Sequence, residues 1–407
     1  MSTFASLSLH PTLVKTIHQR HTHPTPIQIQ SIPPSIAGRD IVASAPTGTG
    51  KTLAYLLPIV HKLLEIPCNS TPKALILAPT RELAQQIHDH CSFLCTANNI
   101  HSIVLYGGVD ITEQIAQLQQ NPNIIIATLG RLLDLHNQGY VDLSNIHIFV
   151  LDEVDRMMDL GFAPDLERLQ YLLPTQRQNI AFSATISSGT QTLLRKFVHN
   201  PLRIDTTSNH RAQPSIKQHV LYVETTKKLA VLQSLLSNNQ THIVFVHTKQ
   251  DTDLVATFLA KHGVACAALH SDKSQLERQR ILDSVQNKTI LTLVATDVAS
   301  RGLDITHVDT VINFDIPSVP ANYVHRIGRT GRGAKEGTAI ALVTQKDIPN
   351  LLGIEKHVGH TLTDIKDSPW RHYPTFEKAM VARVVAEEEA ERKNKKSQKH
   401  RTSKRRR

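Results

Sequence analysis

Short apolar runs rich in isoleucine and valine recur along the chain, and each ends in small, polar or charged residues before a helix-like segment. Strands that are buried on both faces of a parallel sheet have this pattern. The first group of predicted strands covers residues 40–44, 73–78, 123–127, 146–151 and 179–182. The second group covers residues 241–246, 290–295, 310–314 and 337–343. The pattern therefore predicts two α/β domains, each with a parallel sheet flanked by helices.

A polar stretch at residues 200–214 separates the two groups of strands, and it carries Thr206, Thr207, Ser208 and Asn209 in succession. Such a composition indicates an interdomain linker. After about Glu377 the chain becomes helix-like and then strongly basic, without apolar periodicity. The predicted organisation is a first domain at 1–205, a linker at 206–214, a second domain at 215–368 and a tail at 369–407 that is helical and then disordered.

Composition agrees with this organisation. The chain has 407 residues, of which 40% are apolar, and this is enough for two domains of ordinary size. It contains no run of eighteen or more apolar residues, and its N-terminus lacks a basic region followed by an apolar core, so we expect a soluble intracellular protein. The four cysteines are too few for a disulfide framework and lack metal-ligand spacing, which favours a reducing compartment and no metal site among them.

The positive charge is concentrated at the C-terminus. Residues 391–407 contain ten lysines or arginines and one acid, Glu391, whereas the whole chain carries a formal charge of +10. A nearly neutral body with such a tail suggests a salt-sensitive arm that binds phosphates without reading sequence. A solubilising tail and a nuclear-localisation signal are the alternative interpretations.

Residues 45–52 form a loop with the sequence APTGTGKT between the first predicted strand and a helix-like segment. Such a loop points backbone N–H groups at phosphate oxygens. We expect Lys51 to reach the β and γ phosphates of a nucleotide and the Thr52 hydroxyl to bind Mg²⁺. The predicted cofactor-binding residues of the loop are Ala45, Pro46, Thr47, Gly48, Thr49, Gly50, Lys51 and Thr52.

An acidic motif, Asp152 to Asp155, follows the fourth predicted strand. Ligands of α/β folds bind at the carboxyl edge of the sheet, and a carboxylate there suits Mg²⁺. We expect Asp152 to hold the metal and Glu153 to orient or deprotonate the water that attacks the γ phosphate. On its own such a cluster is more often a set of acids that favours a helix dipole, but its position behind a phosphate loop favours the catalytic interpretation.

With these motifs in this order, residues 4 to 350 resemble the DEAD-box ATP-dependent RNA helicases. The resemblance implies two tandem RecA-like domains, ATP hydrolysis that RNA stimulates, and local opening of short duplexes without translocation. The minimal core with a basic extension is similar to the bacterial RhlE-type subgroup, which implies ribosomal RNA or RNA turnover as the setting. The resemblance also implies that the protein is a monomer. Its expected location is the bacterial cytoplasm, with the nucleus as the alternative in a eukaryote.

The resemblance extends to an adenine-reading motif, for which Phe4 and residues 24–28 are the matching positions. The amide of Gln28 can donate and accept hydrogen bonds at once and so can pair with the edge of adenine, which implies ATP rather than GTP. The chain has Arg20 and His21 where the family usually has glycine and an aromatic residue. This departure concerns the packing beside the adenine.

Several motifs are similar to the family's contacts with the RNA backbone, which use hydroxyls, glycine amides and arginines. Without the resemblance, Arg81 and Arg131 would be ordinary surface arginines. Leu129 stands where the family usually has proline. The predicted RNA-binding residues are Arg81, Gly108, Thr128 and Arg131 in the first domain, and Thr248, Arg278 and Thr296 in the second.

Three further motifs match family elements that link the nucleotide to RNA. The segment 183–185 carries hydroxyls that can bond across to the acidic motif, and the resemblance implies that it couples hydrolysis to strand opening. The segment 295–304 ends at Asp304, which is implied to contact the ribose. In the segment 325–332, two arginines three residues apart can neutralise charge on the γ phosphoryl group. The implied coupling residues are Asp155, Ser183, Thr185 and His325, and the implied catalytic arginines are Arg329 and Arg332.

Two other classes of function remain open at this stage. A translocating DNA helicase shares the two-domain core, but the glutamine motif and Asp155 favour the RNA family. A catalytically silent RNA-binding scaffold usually has a damaged phosphate loop or acidic motif, and both are intact in this chain.

Overall fold

A computed structural model of the protein describes residues 3–45, 48–65, 72–206, 216–236, 239–300, 308–331 and 336–365. The chain divides into two compact units, and the main division falls between Gln213 and Pro214. Within the described segments, no helix is both long enough and apolar enough to cross a membrane.

Unit 1 is built on a parallel sheet in the strand order β3-β4-β2-β5-β6-β1-β7. Its strands are β1 (Ile41–Ser44), β2 (Ala74–Ala78), β3 (Ser102–Leu105), β4 (Ile124–Thr128), β5 (Ile148–Leu151), β6 (Gln178–Ser183) and β7 (Leu202–Asp205). Its helices are α1 (Pro11–Ile17), α2 (Pro26–Ile36), α3 (Lys51–Glu65), α4 (Arg81–Thr96), α5 (Ile111–Leu118), α6 (Leu129–Asn137), α7 (Val154–Asp159), α8 (Ala163–Leu172) and α9 (Ser188–Leu194).

Unit 2 contains a second parallel sheet in the order β10-β11-β9-β12-β13-β8-β14. Its strands are β8 (Ile216–Tyr222), β9 (His242–Val246), β10 (Cys266–Leu269), β11 (Thr292–Thr296), β12 (Thr310–Asn313), β13 (Gly337–Val343) and β14 (Thr363–Asp364). Its helices are α10 (Lys228–Leu235), α11 (Lys249–Lys261), α12 (Gln275–Gln286), α13 (Asp297–Ser300), α14 (Pro320–Ile327) and α15 (Ile348–Val358). If the strands of each unit are numbered 1 to 7 in chain order, both sheets have the strand order 3-4-2-5-6-1-7.

The central strands are buried because helices cover both faces of each sheet. In β2, for example, Leu75 and Leu77 belong to the apolar cluster on one face, whereas Ile76 belongs to the cluster on the other. Side chains alternate between the faces of a strand, so a strand covered on both sides needs a continuous apolar run. This is why the nine predicted strands were recognisable, and all nine are strands in the structure.

The strands that the pattern missed lie mainly at the edges of the sheets. Strands β3, β7, β10 and β14 are edge strands, and β8 lies next to an edge. In β7, Ile204 is buried while Arg203 and Asp205 are exposed, so the apolar run that marks a central strand is missing. The prediction that residues 200–214 form a linker is therefore wrong at its start, because Leu202–Asp205 pairs with β1. Thr206 is also bonded to Ser44, and residues 207–215 lie outside the described part of the chain.

Candidate active site and nucleic-acid interface

The predicted site residues of unit 1 lie at one edge of its sheet. The phosphate loop follows β1, the acidic motif follows β5 and residues 183–185 come at the end of β6, and these three strands are neighbours. The predicted RNA contacts follow β2, β3 and β4, which form the other half of the sheet. Because all of these strands run parallel, both sets of residues face the carboxyl edge, where ligands of such folds bind.

The phosphate loop depends on two glycines with left-handed backbone conformations. Gly48 has φ +78° and Gly50 has φ +88°, values that other residues adopt only with strain. A Cβ atom on Gly50 would lie 2.5 Å from Nε2 of Gln28. Lys51 is buried at the start of α3, and its Nζ donates to the carbonyl oxygen of Ala45 at 3.1 Å. The ammonium is thus held across the loop, while Pro46 and Thr47 lie outside the described residues.

Gln28 connects the predicted adenine motif to the phosphate loop. Its Nε2 donates to the carbonyl oxygen of Gly50 at 3.0 Å, and its Oε1 accepts from the backbone N–H of Thr25 at 2.9 Å. The second bond belongs to a capping box at the start of α2. A carboxamide has a second N–H and a second acceptor lone pair, so Gln28 keeps the capacity to pair with a base. The sequence did not predict its bond to the loop.

The other residues of the predicted adenine motif are placed differently. Phe4 is completely buried, with its ring edge-on to His18, so it has no exposed surface with which to contact a nucleotide directly. The guanidinium of Arg20 lies 3.7 Å from the ring centroid of Phe93. His21 is an exposed residue, and partial burial of its ring, followed by the charges of His90 and Arg20, lowers its pKa.

Asp152 is a buried carboxylate at the end of β5. Its Oδ2 accepts from the Tyr55 hydroxyl at 2.8 Å, and its Oδ1 accepts from the Glu153 N–H at 2.9 Å. Burial raises the pKa of Asp152 to about 6; the neighbouring Glu153 adds to the rise, and Lys51 opposes it. At neutral pH the carboxylate is therefore mostly ionised and can bind a cation.

The donor set around Asp152 fits Mg²⁺. This ion prefers oxygen ligands and usually binds through one or two protein groups together with phosphate oxygens and water. The Asp152 carboxylate and the partly exposed Thr52 hydroxyl supply such groups. No cluster of three or more His, Cys, Asp or Glu side chains that could hold a metal occurs within the described segments, so a cation here would take its remaining ligands from phosphate and water.

Glu153 has a strained backbone. Its φ of +52° and ψ of +54° lie in the left-handed region, which for a non-glycine residue costs on the order of 1–3 kcal/mol. The turn leads from β5 directly into α7. Oε2 of Glu153 accepts a hydrogen bond from Nη1 of Arg156 at 3.0 Å, and both side chains are mostly buried. Strain of this kind clusters at functional sites.

Residues 183–185 make the expected hydrogen bonds to the acidic motif. Oδ2 of Asp155 accepts from both the N–H and the hydroxyl of Thr185 at 2.8 Å. The Asp155 N–H donates to the Ser183 hydroxyl oxygen at 3.2 Å, and that hydroxyl donates to the Thr185 carbonyl at 2.6 Å. The end of β6 is thereby joined to the start of α7.

Three of the four predicted RNA-binding residues of unit 1, Arg81, Gly108 and Arg131, meet at the turn after β3. The Arg81 guanidinium lies against Gly108, where an added Cβ would be only 1.9 Å from Nη1, and Gly108 has φ +83°. Nη2 of Arg131 donates to the carbonyl oxygen of Val109 at 3.4 Å. Thr128 ends β4 and precedes α6, whose first residue, Leu129, is buried.

The predicted contacts of unit 2 follow the equivalent strands of its sheet, β9, β10 and β11. Thr248 caps α11, with its hydroxyl accepting from the Asp251 N–H at 3.1 Å. Nη2 of Arg278 donates to the Ala299 carbonyl at 3.3 Å, and the hydroxyl of Thr296 accepts from the Ala299 N–H at 3.4 Å. The structure thus brings Arg278 and Thr296 together at α13.

The predicted catalytic arginine motif begins within α14. His325 lies in this helix and Arg329 follows its end, whereas Arg332 and Asp304 lie outside the described residues. His325 and Arg329 belong to unit 2, while the phosphate loop and the acidic motif belong to unit 1.

Arg326 is a buried residue of this motif that sequence reasoning missed. Its Nε and Nη2 donate to the two carboxylate oxygens of Asp297 at 2.6 and 2.8 Å, and its Nη1 donates to Oδ1 of Asn313 and to the Asp315 carbonyl. The arginine thereby fixes α14 against the start of α13 and the end of β12. The only sequence signal was an arginine beside apolar positions of a short helix.

Two domains with parallel sheets of the same strand order, a phosphate loop and a strand-end acidic pair define a RecA-like ATPase with a duplicated core. The DEAD/DEAH box helicase family model matches residues 25–193, and the helicase conserved C-terminal domain model matches residues 227–334.

Known proteins match nearly the whole chain. The DEAD-box ATP-dependent RNA helicase CshA of Geobacillus kaustophilus is 38% identical over 383 residues, which cover 93% of this chain and 80% of that protein. The ATP-dependent rRNA helicase RRP3 of Yarrowia lipolytica is 38% identical over 88% of this chain and 75% of its own length. The structure of S. cerevisiae Dbp5 bound to RNA and ADP BeF3 superposes with a TM-score of 0.80 at 29% identity, covering 95% of this chain and 99% of that one. The chain belongs to the DEAD-box family of ATP-dependent RNA helicases.

We predict that Arg326→Lys destabilises unit 2 by about 1–3 kcal/mol, the range for leaving a buried hydrogen-bonding group without its partner. A lysine cannot bridge both oxygens of Asp297 and reach Asn313 at the same time. Calorimetry of the full chain should show a lower unfolding temperature, with the exposed Arg280→Lys as the control. Equal unfolding temperatures for the two variants would mean that the Arg326 contacts contribute little to stability.

Proposed function

We propose that the two halves of the unit 1 sheet edge have different roles in an RNA-stimulated ATPase. One half binds and hydrolyses ATP, and the other half holds the backbone of single-stranded RNA. The observation that supports this division is the strand order. The phosphate loop and the acidic motif follow β1 and β5, which are joined through β6, whereas Arg81, Gly108 and Arg131 follow β2, β3 and β4. The enzyme uses the ATP cycle to open short duplexes or to remodel RNA–protein complexes.

In the nucleotide half, the loop amides and Lys51 bind the β and γ phosphates, and Gln28 recognises the adenine. Lys51 exchanges the Ala45 carbonyl for a phosphate oxygen, which has the higher negative charge. Thr52 and Asp152 hold Mg²⁺, which when bound would neutralise charge on the phosphate oxygens.

Glu153 orients the attacking water and accepts its proton. Its carboxylate is largely buried and is held by Arg156, so its position is fixed before the substrate arrives. A base that is already in place contributes to the rate because no reorganisation is needed during the reaction. Arg329 and Arg332 contribute positive charge to the transferred phosphoryl group, the role that the resemblance to the family implies.

RNA is bound through its backbone in this proposal. The residues concerned offer guanidinium groups, hydroxyls and glycine N–H groups, which suit phosphate and sugar and do not read bases. The set after β9, β10 and β11 repeats, in unit 2, the arrangement after β2, β3 and β4 in unit 1. Affinity should therefore depend on salt and depend little on RNA sequence.

Coupling between the two halves passes through the network of Asp155, Ser183 and Thr185. It lies beside Glu153 in the chain and joins the end of β6 to α7 through three hydrogen bonds, while a fourth joins Ser183 to Thr185. A shift in this network would move the acidic motif relative to the phosphate loop.

Ribosomal RNA is a candidate substrate, since fungal relatives of this chain carry the name rRNA helicase.

We predict that Glu153→Gln lowers the rate of ATP hydrolysis by at least about 100-fold, which is the lower range for loss of a general base. Binding of ATP and RNA should persist, because the amide keeps the size of the carboxylate. Steady-state phosphate release and fluorescence binding assays measure the two properties, with the exposed Glu113→Gln as the control. Normal turnover in Glu153→Gln would remove Glu153 from the role of base.

We also predict that Gly108→Ala weakens binding of single-stranded RNA by roughly tenfold, because the methyl group displaces the Arg81 guanidinium and a charge-assisted hydrogen bond is lost. ATP affinity should not change. Gly139→Ala is the matched control, since Gly139 has a similar φ of +81° and a Cβ there would meet no atom within 4 Å. Binding is measured by fluorescence anisotropy with a non-hydrolysable ATP analogue present. An equal loss of RNA affinity in both variants would indicate backbone strain and not the displacement of Arg81.

A further inference from the structure

The Tyr55 hydroxyl is the side-chain group that contacts the predicted metal carboxylate. Tyr55 lies in the first turns of α3 and is completely buried. Its ring packs against Phe182 of β6, with the ring centroids 5.5 Å apart, and its hydroxyl donates to Oδ2 of Asp152 at 2.8 Å. Helix α3 begins at the phosphate loop, so this bond joins that helix to the acidic motif.

Thr52, the other predicted metal ligand, lies in the first turn of the same helix. Thr52 and Tyr55 are three residues apart in a helix and therefore project from the same face. A hydroxyl has one proton to donate and two acceptor lone pairs. Since the Tyr55 hydroxyl gives its one proton to Asp152, it holds that carboxylate against α3, the helix that also carries Thr52.

A purely structural role would leave Tyr55 like other buried tyrosines, whose hydroxyls generally need a partner. Tyr323 is such a residue: it is completely buried in unit 2, and its hydroxyl bonds to Gln218 at 3.3 Å. Tyr55 differs in its partner, because Asp152 belongs to the predicted metal site. Among the described residues, the Asp152 carboxylate accepts hydrogen bonds from the Tyr55 hydroxyl and from the Glu153 N–H.

We propose that Tyr55 is a positioning residue for the metal–nucleotide complex, which fixes the rotamer of the Asp152 carboxylate so that it faces the cation. Groups that hydrogen-bond to metal ligands orient those ligands and affect metal affinity. The proposal rests on the assignment of Asp152 and Thr52 as the magnesium ligands made above.

The test is the magnesium dependence of nucleotide binding, measured without RNA and without turnover. A fluorescent ATP analogue is titrated into the full chain at increasing Mg²⁺ concentrations for the unmodified protein, Tyr55→Phe and Tyr323→Phe. Tyr55→Phe removes one oxygen atom and keeps the ring. We expect its half-saturating Mg²⁺ concentration to rise roughly tenfold, the lower end of the effect for partners of metal ligands. Tyr323→Phe should match the unmodified protein.

A second measurement separates positioning from general damage. At saturating Mg²⁺, Tyr55→Phe should regain the nucleotide affinity and the kcat of the unmodified protein, because only the affinity for the metal has changed. An unchanged half-saturating Mg²⁺ concentration in a folded Tyr55→Phe variant would overturn the proposal. If the unmodified protein binds nucleotide without any dependence on Mg²⁺, then the magnesium assignment itself fails, and the two failures are thus distinguishable.

Tyr55→Met provides a second variant that fills the space of the ring without a hydroxyl. It should show the same increase in half-saturating Mg²⁺ concentration as Tyr55→Phe. Loss of folding in both variants would also contradict the proposal, because Tyr55 would then serve the fold and not the metal site.

Discussion

The phosphate loop, the acidic motif and the predicted RNA contacts of unit 1 depend on one constraint, which is that its strands run parallel and end at the same edge of the sheet. Parallel strands need crossover helices, and these helices cover both faces. The loops between strand ends and helices are then the part of the chain that is free to bind ligands. Since β1, β5 and β6 are neighbours, residues separated by more than one hundred positions in the sequence converge on one nucleotide site. The second sheet repeats this order, so the same constraint organises both units.

Burial of charge at this edge is what makes the site reactive and also what makes it dependent on hydrogen bonds. Asp152, Lys51 and Glu153 are all mostly withdrawn from water, where an unpaired charge would be costly. Each is bonded within the protein: Asp152 to Tyr55, Lys51 to the Ala45 carbonyl, and Glu153 to Arg156. The site is therefore organised before a nucleotide arrives, and binding exchanges some of these bonds for bonds to phosphate.

The sequence allowed the central strands and the motif residues to be predicted, because buried parallel strands and phosphate loops leave strong local patterns. The edge strand β7 was missed because exposed Arg203 and Asp205 interrupt its apolar run, and β10 was missed because its apolar residues are mainly alanine and not isoleucine or valine. Arg326 and Tyr55 were missed for another reason. Each takes its importance from a partner far away in the sequence, and a single arginine or tyrosine in a helix carries no local signal of that partner. Phe4 shows the converse, because a family motif suggested a contact that its complete burial does not allow directly.

The most direct test of the account is the rate of ATP hydrolysis by the full chain with and without single-stranded RNA, compared with single-stranded DNA of the same sequence. The account predicts that RNA raises the rate strongly and that DNA raises it much less, since the 2′-hydroxyl distinguishes the two backbones. A rate that neither nucleic acid changes, or that both raise equally, would contradict the coupling of an RNA-binding half and a nucleotide-binding half of one sheet edge.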